Sequence, residues 1–327
     1  GKGLLLKGEF ICVSPEEGER FKYSRVVRPA SDEEVKHYNR NIVNTINLED
    51  DGVDNVYATE TFRDTRIISG QSVETSVQGQ AKFIISHRFG DIYQENPFSL
   101  LYNFFGFSGG ANMRIGLDYG ITNWLTVGAG RSNLDKTYDG FLKVKLLKQS
   151  TGDFNCPVTL SLYSDISVIT DTTNPVLDPY FTSGIGFANQ LLIGRKFSDG
   201  FSLQLMPTHV HRNLVELNSD PNDIFAIGIA TKVRVAKSID LTGEYYYTLP
   251  NQLPAGYDNC LSIGADFITK GHVFQLQLSN SPYLIPEHYI GRTEGSIFEM
   301  VNGKPDINIR FGFNITRTFK VAGRPYE

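Results

Sequence analysis

Ile307-Asn308-Ile309-Arg310-Phe311-Gly312-Phe313-Asn314-Ile315-Thr316 decides the fold. Its odd positions are all large and apolar, and its even positions hold two amides, an arginine, a glycine and a threonine. Successive side chains of a β-strand point to opposite faces, so this period of two places one face in an oily medium and the other in a polar one.

Working outward, the same alternation recurs through most of the chain from Ala81 onward. Met113, Ile115, Leu117 and Tyr119 alternate with Asn112, Arg114, Gly116 and Asp118. Leu142, Val144 and Leu146 alternate with Lys143, Lys145 and Leu147, and Val158, Leu160, Leu162 and Ile166 with Thr159, Ser161, Tyr163 and Asp165. Phe225, Ile227, Ile229, Val233 and Val235 face away from Ala226, Gly228, Ala230, Lys232 and Arg234. Ile239, Leu241, Tyr245 and Tyr247 oppose Asp240, Thr242, Glu244 and Tyr246; Leu261, Ile263, Ala265 and Phe267 oppose Ser262, Gly264 and Asp266. Three stretches read less cleanly: Ala81–Phe89, Ile185–Phe197 and Phe201–Arg212, the last carrying Pro207, a residue better tolerated near a rim or bulge than in mid-strand.

The links between these stretches alternate in length. Gly120–Asn123, Ser198–Gly200, Ala236–Ser238 and Thr269–Gly271 are tight. Gly90–Gly110, Ser132–Lys136, Thr170–Thr182, Asn213–Asn222, Pro250–Asp258 and Pro282–Lys304 lie between them, and Gln149–Cys156 is longer than its place among the short turns demands. Short turns on one side and long loops on the other are the asymmetry of an outer-membrane barrel. Alternation alone also fits a soluble sandwich with its apolar face inward. Strand length, segment number and link asymmetry favour the membrane. The predicted fold is all-β: a transmembrane antiparallel up-and-down barrel of about twelve strands. Its predicted divisions are a short periplasmic extension over 1–60, a lumen-entry segment over 61–80, the barrel over 81–321 and a tail over 322–327. Segment Thr61–Thr75 is placed to enter the lumen from the periplasm.

Composition agrees. No apolar run approaches the roughly 18 residues of a membrane helix. The net charge of −5 speaks against a nucleic-acid partner, which a basic face would announce. The start, Gly1-Lys2-Gly3-Leu4, carries no export signal pattern and reads as a mature chain. Residues 1–60 hold acidic runs, a candidate helix cap at Ser31 and a candidate strand over Glu9–Val13.

Several motifs carry a resemblance: Thr65-Arg66-Ile67-Ile68-Ser69-Gly70-Gln71, Ile85-Ser86-His87-Arg88-Phe89-Gly90, Tyr138-Asp139-Gly140-Phe141, Arg195-Lys196-Phe197-Ser198, Asp220-Pro221-Asn222-Asp223, Gly271-His272-Val273-Phe274 and Phe311-Gly312-Phe313-Asn314. From Thr61 to the C-terminus the chain resembles a Gram-negative outer-membrane β-barrel family of unassigned function. That resemblance implies the outer membrane, and it implies no activity.

The expected site is the lumen wall. Arg114, Asp118, Lys143, Lys145, Asp165, Lys232, Arg234, Asp240, Glu244, Asp266 and Arg310 form a mixed-charge ladder that either sets the selectivity of a narrow pore or salt-bridges into a plug. The leading function is a small channel or transport protein, with both termini in the periplasm. The alternative is a non-conducting barrel that anchors a periplasmic or outer-membrane protein partner. Membrane lipid is the other expected partner, and the solute is not named by the sequence. Two apolar loops, with Phe98, Leu101, Phe104 and Phe105 in one and Tyr283 and Ile285 in the other, are expected to form a lid or a partner contact. Cys12 and Cys156 are expected to form a disulfide between the extension and the barrel base. His209 and His211 share a strand face but lack a third ligand, so no metal or cofactor is assigned. No catalytic residue is assigned either, because Ser86 and His87 point to opposite faces and no G-x-S-x-G elbow occurs.

Overall fold

The computed structural model describes residues 11–13, 20–22, 55–92, 106–107, 110–171, 180–215, 217, 219–269, 271–295, 299–301, 304–306 and 308–321. The chain divides into two units, Gly1–Val56 and Tyr57–Glu327. In the first, Ile11–Val13 pairs antiparallel with Arg20–Lys22. The candidate helix cap at Ser31 lies outside the described residues.

The second unit is a closed barrel of twelve antiparallel strands. They are β1 (Gln80–Asp91), β2 (Asn112–Thr122), β3 (Leu125–Ser132), β4 (Tyr138–Leu147), β5 (Thr159–Val168) and β6 (Ile185–Lys196). The round continues with β7 (Phe201–Arg212), β8 (Asp223–Ala236), β9 (Ile239–Thr248), β10 (Leu261–Thr269), β11 (His272–Ser279) and β12 (Arg310–Lys320). Each strand pairs with its neighbours in sequence, and β12 closes on β1 with Ile315 opposite Ile85 and Asn314 opposite Ser86. Closure leaves no edge of unpaired backbone, which is what hydrocarbon requires of a sheet. No helix among the described residues is long and apolar enough to cross a membrane.

Burial settles which face points where. On β2, Arg114 and Asp118 are buried while Met113, Ile115 and Leu117 are exposed. Leu142, Leu162, Phe225, Ile227, Ile229, Leu241, Ile263, Leu276 and Leu278 are likewise exposed. A soluble β-protein would have this inside out. Here the apolar stripe is outermost.

The three less regular stretches are strands β1, β6 and β7. On β6 and β7 the inward residues Ala188, Leu192, Met206 and Val210 are themselves apolar and fully buried. These apolar residues alternate on the inner faces with buried polar ones such as Gln190, Gln204 and Arg212, and the period of two fades for a structural reason: part of the interior beside them is packed. Pro207 sits in mid-strand rather than at a rim, and the β6–β7 ladder omits the pairs of Leu191 and Leu192 with Pro207 and Met206. Proline has no N–H to give there. On β4 the register shifts between Lys145 and Leu147, so Leu146 and Leu147 are both exposed and the strict alternation read for that strand ends at Lys145. The long link after β4 has its own explanation. Ala58 donates its N–H to the Gln149 carbonyl at 2.8 Å, and Lys148 lies over the Tyr57 ring, so this link receives the chain on its way into the barrel.

Candidate functional site in the barrel lumen

The segment following Glu60 runs inside the barrel. It enters at the short-turn end, reverses at mid-height and returns. The reversal is a turn closed by Ile67 N–H to the Gly70 carbonyl at 2.8 Å, with Ser72 N–H on the Thr65 carbonyl at 2.9 Å. Thr61, Phe62, Thr65, Ile67, Ile68, Ser72, Val73 and Ser76 are all buried.

The wall holds this hairpin chiefly by its backbone. Lys143 Nζ donates to three hairpin carbonyls, those of Thr65 (2.9 Å), Ser72 (3.0 Å) and Glu74 (3.1 Å). From the other side the Glu244 carboxylate accepts the N–H groups of Ser69 and Gly70 at 2.8 and 3.0 Å. Gln204 accepts from Val73 N–H and donates to the Gln71 carbonyl, Gln275 donates to the Ile67 carbonyl, and Asn314 to the Ile68 carbonyl. Side-chain ties complete the seat: Lys82 with Asp64 (2.7 Å), Arg63 with Asp240 (2.6 Å), Lys145 with Glu74 (3.4 Å) and Arg88 with Ser69 Oγ (2.8 Å). A hairpin with few internal bonds has its backbone groups satisfied by the wall instead, as burial demands.

The opposite end holds a second insert. The link between β11 and β12 turns inward, and a short helix α1 (Pro286–Gly291) lies wholly buried within it, with proline at its first position. Glu287 there meets Arg212 of β7 at 2.8 Å, His288 at 2.7 Å and Arg292 at 3.4 Å. Burial by itself would raise its pKa; Arg292, His288 and Arg212 outweigh that and hold the carboxyl well below the usual carboxylate range.

Tyr246 of β9 joins the two inserts. Its ring packs on Tyr289 of α1 with centroids 5.2 Å apart, and Tyr289 Oη donates to Tyr246 Oη at 3.3 Å. On its other side it meets Gly70 at the hairpin tip. Phe62, Ile67, Ile68 and Val73 of the hairpin, Tyr289 and Ile290 of α1, and Leu192, Met206, Val210, Ile224 and Tyr246 of the wall belong to one apolar cluster. The interior therefore has an apolar cluster along β6 to β8, joined by Tyr246 of β9, and a polar side around β1, β2, β11 and β12.

Of the eleven ladder residues, Arg114, Asp118, Lys143, Asp165, Lys232, Asp240, Glu244, Asp266 and Arg310 are buried, and Lys145 and Arg234 are partly covered. They do not form one ladder. Arg114 pairs with Asp139, its Nε at 2.8 Å from Oδ1, above Gly116 and Gly130, where any Cβ would strike the guanidinium. Lys232 donates to the Glu60 carbonyl, and Arg310 pairs with Asp91 at 2.8 Å. The residues sequence reasoning missed are Lys82, Arg88, Asp139, Gln204, Gln275, Asn314 and the hairpin's own Asp64 and Glu74. Asp139 continues the alternation of β4, so the pattern could have found it. Asn314 likewise stands on the polar row of β12, though a neutral amide there does not announce a backbone contact.

The other expected sites lie elsewhere. Tyr283 is half-buried and Ile285 buried at the mouth, while Phe98, Leu101, Phe104 and Phe105 lie outside the described residues. Cys156 is a free, buried thiol with Sγ 3.2 Å from the Val158 carbonyl, and the Cys12 side chain lies outside the described residues. His209 and His211 are on the outer face at the long-link rim, both 2.8 Å from Asp223 Oδ1. No group of three His, Cys, Asp or Glu arranged for a metal occurs among the described residues. Ser86 is buried in the lumen, with His87 on the outer face against Phe313.

Among curated proteins none matches the chain. Solved structures that resemble it include one described as the NanC porin, 7% identical over 72% of this chain and 98% of that one, with a TM-score of 0.45. Another is the KdgM porin in complex with disordered oligogalacturonate, 8% identical over 73% and 99%, with a TM-score of 0.43. A mutant of the Rh. blastica porin is 10% identical over 64% and 55%, with a TM-score of 0.30. The model of a membrane-bound β-barrel domain family, DUF5777, matches residues 62–319. That span takes in all but the first hairpin residue and the last residue of β12, and the chain belongs to this family of membrane β-barrels.

Proposed function

We propose that the protein is an outer-membrane channel held shut by its own chain, opening when the hairpin over Thr61–Ser76 is withdrawn toward the short-turn end, which this reading places in the periplasm together with the termini. The observation that carries it is the way the hairpin is held. Lys143, Glu244, Gln204, Gln275 and Asn314 grip backbone N–H and C=O groups, and those same wall groups are as well served by water. A stopper meant to be permanent gains more from apolar packing on every side than from polar contacts that water can replace. Withdrawal bares Lys82, Lys143 and Lys232 together with Asp118, Asp240 and Glu244, a wall of both signs suited to small hydrophilic solutes.

A second reading rests on the apolar cluster and on α1, which pack against one side of the other half of the barrel. In it the protein never conducts and serves as an anchor for a partner. Planar-bilayer recording separates the two. The full chain is expected to be silent, a chain lacking Thr61–Ser76 to give steady conductance steps, and the pair Lys143→Met with Glu244→Gln to give intermittent ones. Silence from the hairpin-deleted barrel, folded and inserted, decides for the anchor.

A further inference from the structure

We infer that the outer wall over β4 to β8 holds one membrane lipid, with an acyl chain in a groove and an acyl carbonyl on Asn189. The inference needs only that the barrel spans a membrane, so it stands whether or not the lumen conducts.

The groove has a volume of about 620 Å³ and opens on the apolar, outward face. Its floor is one cross-strand row: Val144, Leu162, Leu191, Pro207 and Ile227. Here the β6–β7 ladder is interrupted opposite Pro207, and neighbouring strands lose the bonds that hold them level. The next row toward the long-link end is Ser164, Asn189 and His209, paired in register across β5, β6 and β7. The rim above it carries His211 and Asp223. Going down the wall, the chemistry changes from charged, to amide and hydroxyl, to hydrocarbon. That is the order of headgroup, acyl linkage and chain in a lipid.

The middle row supplies the specific contact. Ser164 Oγ donates to Asn189 Oδ1 at 2.7 Å. The bond occupies the amide's acceptor and leaves its N–H₂ group, exposed on the groove wall, without an acceptor among the described residues. Asn189 lies four residues below the end of β6, about 13 Å along the strand. An amide donor at that depth is costly unless something accepts from it. An ester or amide carbonyl at the head of an acyl chain is the acceptor that the surroundings offer. A second copy of this chain fits less well, because a two-fold contact demands a self-complementary surface and this one is concave.

The test uses the full chain purified in detergent, titrated with dioleoyl phosphatidylethanolamine and read by native mass spectrometry. One lipid is expected to bind and saturate. Asn189→Leu should weaken it about fivefold. Leu191→Trp, which fills the groove, should abolish it, while Leu276→Trp on the outer face of β11, away from the groove, should leave it unchanged. Lipid retained equally by the Leu191→Trp and Leu276→Trp proteins overturns the site, and Asn189→Leu binding like wild type overturns the carbonyl contact. A wild-type dimer lost in Leu191→Trp, with no bound lipid in either, assigns the groove to a second copy instead.

Discussion

Tyr246 is one of the residues on β9 that face inward, and the hairpin tip, the mouth helix and the wall all meet on its hydroxyl. Tyr246 Oη lies 3.4 Å from Met206 Sδ and accepts from Tyr289, and it leaves no room beside Gly70 for even a methyl group. A Cβ at position 70 would overlap Oη, whereas the ring carbon beneath, Cζ, stands at 3.4 Å, ordinary contact. Glycine is thus required at the tip chiefly by the Tyr246 oxygen, with Glu244 Oε2 next at 3.0 Å. Gly70→Ala should destabilise the barrel by about 1–3 kcal/mol, the usual range for overpacking. Tyr246→Phe removes the oxygen at the cost of weak hydrogen bonds, about 1 kcal/mol. Combined, the two changes should give a thermal unfolding midpoint above that of Gly70→Ala alone. A double variant that melts lower than either single one would show that the tip does not sit against Tyr246.

At the scale of elements, α1 shows how a buried charge can fix an insert. Glu287 has its pKa held below its ordinary value of 4.5, so ionisation favours the seated state. The sign follows from linkage. Stability from a depressed carboxylate is whole above the unfolded value and declines as pH falls from there through the depressed folded one. Glu287→Gln leaves buried Arg212 and half-buried Arg292 without their anion, a loss of about 3–5 kcal/mol. The gap in unfolding midpoint between wild type and Glu287→Gln should be no smaller at about pH 5.5 than at pH 7 and narrow only below about pH 4.5. Narrowing already at pH 6 would mean that Glu287 is not ion-paired. How legible such elements were depends on what each side chain meets. The strands with a polar inner face, such as β2 and β12, could be read residue by residue, because two solvents leave two patterns. For β6 and β7 the pattern blurs, since Leu192, Met206 and Val210 face a packed interior rather than water. The bulge after Lys145 left no mark, for Leu146 and Leu147 are both apolar. Nor did the sequence disclose that Lys143 and Glu244 grip a hairpin, because what they bind is backbone, and backbone is the same in every residue.

For the whole molecule, the governing fact is a barrel with hydrocarbon outside and its own chain inside. The two media differ in what they forgive. The interior tolerates Lys143 and Asp240 because carbonyls and Arg63 answer them. The hydrocarbon around the outer band offers no partner, so a charge there is penalised by depth: about 2–4 kcal/mol at the midplane and about 0–1 near an interface. Leu117 lies at the middle of β2 with its side chain outward, and Leu146 at the short-turn end of β4 is equally exposed. Leu117→Arg should therefore destabilise the folded barrel in lipid vesicles by about 2–4 kcal/mol, and Leu146→Arg by about 1 kcal/mol or less. Reversible denaturant titration in vesicles gives both numbers, and the contrast matters more than either value. In detergent micelles, where the polar surface lies closer, the difference should shrink. Equal costs at the two positions, in vesicles, would mean that the band does not sit in hydrocarbon, and a fold with its stripes turned outward into water would have no physical account.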